Sequence, residues 1–250
     1  MTVDCTVRHH GGLMLAALSG GLTLSDVAAV QIHLLKCLAE QPRALLVDLS
    51  GMTVAQPVAL AVFSSVVGQA ARWPGTDILF CAAGQDTADL MSAASFRRLE
   101  RFPSVDAACD HIERDGHRMP TVAEELLPVT GAARHGRDVA TETCLRWELP
   151  ELVAPASLVC SELISNVVDH AHTMMTLRLS LGSMFLFIAV RDGSPTEPVA
   201  MPSGPSRERG RGLQIVAATA HSWGCVPARG GKVVWASLLQ GGPPERSGAG

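Results

Sequence analysis

The chain has 250 residues, 47% hydrophobic and 18% charged, a balance that suits one large globular domain or two modest ones. A formal charge of −4, no Tyr and 4% aromatic residues argue against a nucleic-acid or anionic-membrane partner, since neither charge attraction nor base stacking is provided. The apolar runs MFLFIAV and PVALAVFSSVV are too short to span a bilayer, the N-terminus carries no targeting pattern, and seven scattered cysteines fit a reducing cytoplasm.

Two strand-like runs flank Gly11-Gly12, a hairpin signal. Ser25 is placed to cap a helix over DVAAVQIHLLKCLAE. ALLVDLSG reads as a buried strand ending in a glycine turn. PVALAVFSSVVGQAARW reads as a helix with Pro57 in its first turn, where the missing N–H costs little. DILFCAA is a second buried strand, followed by two weaker helical stretches. This alternation predicts an α/β layer over residues 1–116. The pattern lapses over 117–127, beside Pro120 and Pro128, which predicts a linker. From 128 to 240 the order reverses: two helices, two strands, a helix through GLQIVAATAHSWG, then the strand GKVVWASLLQ. The fold class expected is therefore α/β with two domains, the second a sandwich with a mixed or antiparallel sheet. Residues 241–250 read as a disordered tail.

The chemistry concentrates in the second half. SELISNVVDHA (161–171) is an apolar helix that nevertheless carries Glu162, Asn166 and His170 at four-residue intervals. Four helical residues turn through about 400°, so the three polar groups share one face. A solvated face is one reading. The other is a ligand set, in which a carboxamide beside a carboxylate suits a hard ion such as Mg²⁺, itself normally completed by phosphates. Downstream, the strand FLFIAV runs into RDGSP and puts Asp192 at a strand end, either as an ordinary Asp-Gly turn or as a ligand contact. RGRGL then opens a helix with Gly210 and Gly212 beside Arg209 and Arg211, either as a linker or as a loop whose N–H groups meet phosphates.

As an ordered set over residues 128–240, these pieces resemble the ATP-binding serine kinases that act as anti-sigma factors, a branch of the Bergerat-fold (GHKL-type) ATPases. PVTGAAR, LRWEL, SELISNVVDHA, VRDGSP, GRGLQIV and GKVVWASL carry the resemblance. It implies ATP and Mg²⁺ as cofactors, with Asn166 on the metal and Glu162 as general base toward a partner's serine. It also implies that Asp192 and Gly193 meet adenine, and that Gly210, Gly212 and Arg209 line the phosphates. His170 stands open between a ligand contact and a structural histidine. Two departures are evident: the family's Asp-x-Gly-x-Gly box is shortened to DGSP, and Val233 stands where many members carry threonine.

Residues 5–115 resemble the sulfate-transporter and anti-sigma-antagonist (STAS) domain through LMLAALSGGLTLSD, ALLVDLSGMT and FPSVDAAC. In that family the regulatory serine lies in an Asp-Ser-Ser-Gly run, which aligns here with Gln56, Pro57, Val58 and Ala59, so the phosphoacceptor hydroxyl is lost. The half is then either a docking or autoinhibitory surface or a drifted domain. Together the resemblances imply a cytoplasmic protein-serine kinase and anti-sigma factor whose partners are a sigma factor, STAS antagonists and a second copy of itself. A regulator without phosphotransfer and a two-domain adaptor are the alternatives.

Overall fold

The computed structural model describes residues 3–116, 119–196 and 212–241, and the chain divides into two units, Met1–Arg118 and Met119–Gly250. The first begins with the expected hairpin. Gly11 and Gly12 hold φ of +56° and +84°, a region a Cβ disfavours, and join β1 (Asp4–His10) to an antiparallel β2 (Leu13–Leu22). There follow α1 (Val27–Ala39), β3 (Ala44–Val54), α2 (Ala61–Arg72), β4 (Asp77–Cys81), α3 (Gln85–Leu90), β5 (Glu100–Phe102) and α4 (Val105–Asp115). The sheet order is β1-β2-β3-β4-β5, parallel from β2 onward. The central strand β3 is covered on both faces, so its run is continuously apolar. Leu45, Val47 and Leu49 pack with Leu34 of α1 and Phe63 of α2, while Ala44 and Leu46 pack with Ala108 and Ile112 of α4.

Two local features of this unit differ from expectation. The cap before α1 is a box made by Thr23 and Asp26, not Ser25: Thr23 Oγ1 donates to Asp26 Oδ2 at 2.6 Å, and Thr23 N donates to the same oxygen at 3.0 Å. The chain after VDLSG enters α2 through a 3₁₀ turn, Pro57–Leu60, in which Ala59 and Leu60 are buried and Val58 is 64% exposed.

The second unit contains β6 (Thr121–Leu126), α5 (Ala132–Arg146), α6 (Val153–Asn166), β7 (Met175–Leu181), β8 (Phe185–Asp192), α7 (Gly212–Thr219), β9 (Ser222–Ala228) and β10 (Gly231–Leu239). Its sheet order is β6-β7-β8-β10-β9. Three expectations are corrected. Most of the expected linker 117–127 is the strand β6, which pairs with β7 from Thr121↔Ser180 to Leu126↔Met175. The sheet is not mixed: all four pairings are antiparallel, because the hairpins β7–β8 and β9–β10 meet with β10 against β8. The helix expected through HSWG stops at Thr219, and Ser222–Ala228 is an edge strand.

The core of this unit forms between the three helices and one face of the sheet. Ala156, Val159, Cys160, Leu163, Ile164 and Val167 of the α6 segment meet Leu177, Ile188, Val190 and Val234 of the strands. Each buried Val, Leu or Ile among these stabilises by roughly 1.5–3 kcal/mol. Gly136 of α5 lets the two helices cross closely, since a Cβ there would collide with Ile164 Cδ1. Thr141 and Ser157 hydroxyls meet at 3.0 Å, and Arg137 Nη1 donates to Ser161 Oγ at 3.2 Å across the same seam. The continuous helical segment Pro150–Ala171 is 22 residues long and apolar enough to cross a membrane, which the run lengths in the sequence did not indicate. Its apolar stripe is accounted for by the core it fills.

Candidate functional site

Glu162 and Asn166 lie on the side of α6 away from that core, one turn apart and both partly buried. The N-terminus of α7 rests on the first of them. A Cβ at Gly212 would stand 2.7 Å from Glu162 Oε2 and 3.8 Å from Glu162 Cβ, so glycine is what permits this approach. After Asn166 the winding changes from α to π over Val167–Ala171, closing on His172 in the left-handed region at φ 53°, with His172 N donating to Val167 O at 2.9 Å. The wider winding interrupts the four-residue row, and His170 is exposed within it. Arg209 and Gly210 lie outside the described residues, as do Arg211 and most of the expected tail.

Asp192 ends β8 and is 3% exposed. Strand alternation places its side chain with Leu186, Ile188 and Val190, on the face that meets α6. Directly opposite on β10 is Lys232, 5% exposed and on the same face as Val234 and Ala236. Lys232 Nζ lies 2.9 Å from each carboxylate oxygen of Asp192 and donates to Ser194 O at 3.1 Å. Asp192 Oδ1 also accepts from Ser194 N at 2.7 Å, an Asx turn that holds the carboxylate in place. Oδ2 is buried and receives no aligned hydrogen bond among the described residues; its contact with the ammonium is an ion pair alone. Gly193 N donates to Thr173 Oγ1 at 2.9 Å, tying the end of β8 to the loop before β7. Glycine is obligatory at 231, because a Cβ there would run into the carbonyl of Asp192.

The sequence reading missed Lys232, although the signal was present: a lone charge in an otherwise apolar strand requires a buried partner. Val233 pairs with Arg191 on β8, so its side chain lies on the face opposite Asp192, and Lys232 occupies the position that faces the carboxylate.

The donor chemistry fits Mg²⁺-ATP at two points. Asn166 and Glu162 are hard oxygen donors of the kind Mg²⁺ takes, and the orphan Asp192 Oδ2 is an acceptor suited to an exocyclic amine. The buried ammonium beside that oxygen is the feature that does not fit. An open cavity of about 190 Å³ lies along this end of the sheet, lined by residues including Met174, Thr176, Asp192, Gly193 and Arg229.

No family model matches the chain, and no curated protein matches it. Among solved structures, it is similar to an anti-sigma factor antagonist from Mycobacterium paratuberculosis at 19% identity and a TM-score of 0.41, covering 45% of this chain and 95% of that one. A variant of RsbS from Moorella thermoacetica is similar at 15% identity and a TM-score of 0.37, over 45% of this chain and 97% of its own. The anti-sigma factor antagonist SpoIIAA in its unphosphorylated form is similar at 7% identity and a TM-score of 0.36, over 44% and 97%.

Proposed function

We propose that this chain is a partner-switching regulator whose second unit binds Mg²⁺-ATP and transfers phosphate to a serine of an antagonist protein. The observation that carries the reading is the pair on α6: Glu162 and Asn166 stand one turn apart on the partly buried side of a core helix, beneath the glycine that opens α7. Bound Mg²⁺-ATP would supply the γ-phosphoryl group, its bond to the β-phosphate oxygen breaking as the bond to the serine oxygen forms so that ADP leaves, and would neutralise charge during the transfer. Asn166 holds the metal through its carboxamide oxygen. Glu162 accepts the proton of the incoming serine hydroxyl, a task that needs only hydrogen-bond reach. Asp192 and Gly193 receive the base, while Gly212, with Gly210 and Arg209, receives the phosphates; His170 belongs to the outer wall. The first unit, with Pro57, Val58 and Ala59 where a phosphoacceptor would stand, docks a partner without being phosphorylated. A sequestered sigma factor, pairing of two copies and a cytoplasmic setting complete the reading.

The test is phosphotransfer from Mg²⁺-ATP to an antagonist-type protein, with calorimetry alongside. Glu162→Gln should lower transfer by about 10²-fold or more while sparing ATP binding, and Asn166→Ala should abolish micromolar binding. Transfer at the wild-type rate by Glu162→Gln would remove the assigned base. A second reading, a regulator without phosphotransfer, is favoured by the Asp192–Lys232 pair, which occupies the base-recognition carboxylate. Robust phosphorylation of any antagonist would exclude it.

A further inference from the structure

Among the described residues Lys232 is the only buried basic side chain. Lysine is almost never buried without a partner, and here the partner is the one carboxylate that the nucleotide reading assigns to the base. The placement is built into the backbone. Gly231 permits β10 to pass against the carbonyl of Asp192, and the register then sets residue 232 opposite residue 192 on the helix-facing side of the sheet. The ammonium has three protons and three oxygens around it: Asp192 Oδ1 and Oδ2, each at 2.9 Å, and Ser194 O at 3.1 Å.

We propose that Lys232 is a resident occupant of the base-recognition corner, so that a purine reaches Asp192 only as the lysine side chain leaves. The inference rests on the nucleotide reading above and adds the regulation of that same site. A base amine that donates to Asp192 Oδ2 must approach an oxygen whose neighbouring space already holds Nζ. The oxygen has lone pairs to spare, but the corner is buried and Nζ stands 2.9 Å from Oδ2, so the amine and the ammonium compete for the same space beside it. The exchange is unequal. A charge-assisted hydrogen bond from the ammonium is replaced by a neutral one from the amine, and charged donors hold a carboxylate roughly twice as strongly. The side chain is nonetheless able to leave, because its four-carbon stem is flexible and the ammonium regains water when it swings out. Lys232 therefore sets the affinity: wild-type protein binds nucleotide weakly, and neutralising this one residue strengthens binding although Lys232 is not expected to touch bound ligand.

The experiment is calorimetric titration of Mg²⁺-ATP into the full chain, comparing wild type with Lys232→Met and Lys232→Gln, folding being checked by circular dichroism. Glutamine keeps a neutral donor for Asp192, so it costs the fold less than methionine does. The expected result is binding about 10- to 100-fold tighter in the neutral variants, the size of one charge-assisted hydrogen bond. A structural role for Lys232 predicts no such gain. Wild-type affinity that is measurable and unchanged in folded neutral variants overturns the occupant and leaves the nucleotide reading standing. No binding by any folded variant overturns both. Should neither neutral variant fold, Lys232→Arg keeps the ion pair and grips both carboxylate oxygens, so it should bind ATP more weakly than wild type; equal or tighter binding overturns the proposal.

Discussion

Replacing Lys232 by methionine keeps the stem volume and removes the charge, leaving the buried Asp192 with Ser194 N as its remaining donor. Breaking a buried ion pair from one side costs about 3–5 kcal/mol, because the surviving charge is left without compensation. The geometry places this pair toward the upper end: the side chains are 6% and 0% exposed, and Nζ contacts both carboxylate oxygens. Asp192→Asn should also destabilise, by less, since the amide oxygen can still accept from Ser194 N. The double variant removes both charges and should recover most of the loss, leaving about 1–2 kcal/mol, because a buried pair is worth little relative to two neutral groups. The coupling energy of the cycle, the two single costs less that of the double variant, is thus at least about 2–3 kcal/mol. Urea unfolding of the full chain measures the totals, and hydrogen exchange in β8 and β10 peptides assigns them to this corner. A Lys232→Met cost below about 1 kcal/mol, or additive single variants, would refute the account of a desolvated and mutually dependent pair.

Gly136→Ala should destabilise by about 1–2 kcal/mol, as overpacking against Ile164 outweighs the roughly 1 kcal/mol that alanine gains in a helix; combining it with Ile164→Val, which deletes the colliding methyl, should restore stability in urea, and failure to do so would mean that the helices do not meet there. Asp26 is held below its ordinary value of 3.8 by the Thr23 hydroxyl, then by the Thr23 and Val3 N–H groups. Its contribution is therefore fully present above about pH 4 and disappears as pH falls through the lowered value, so wild type and Asp26→Asn should differ in melting temperature at pH 6 and converge near pH 2. Burial pushes the Cys144 thiol to about 11 and the Cys81 thiol to about 12, and raises Cys160 further. At pH 8 these three should resist thiol-specific labelling until the chain unfolds, while the partly exposed Cys5, Cys109 and Cys225 react first.

Elements stabilised by their own neighbours were legible in the sequence. The Gly11-Gly12 hairpin needs only two residues that tolerate positive φ. The run ALLV announces a strand covered on both faces, and the spacing of Val159, Leu163 and Val167 announces the core side of α6, leaving Glu162 and Asn166 on the other. Elements that owe their form to a distant partner were not. β6, with the pattern TVAEEL between prolines, is a strand because β7 offers it a ladder. β9 contains Gly224 and Pro227, both poor strand formers, yet it sits at the sheet edge where proline is tolerated, and Gly224 leaves room for the Trp235 ring, which a Cβ would approach to 2.8 Å.

The site divides along the same line. Sequence spacing alone put the carboxylate and the carboxamide on one helical face, because helix pitch is a local property. That the third member of the row, His170, falls in a π turn depends on how the end of the helix is accommodated. The state of Asp192 was decided by tertiary structure alone: Lys232 lies forty positions away in the chain, and only the antiparallel register of β8 against β10 turns two isolated charges into one buried pair.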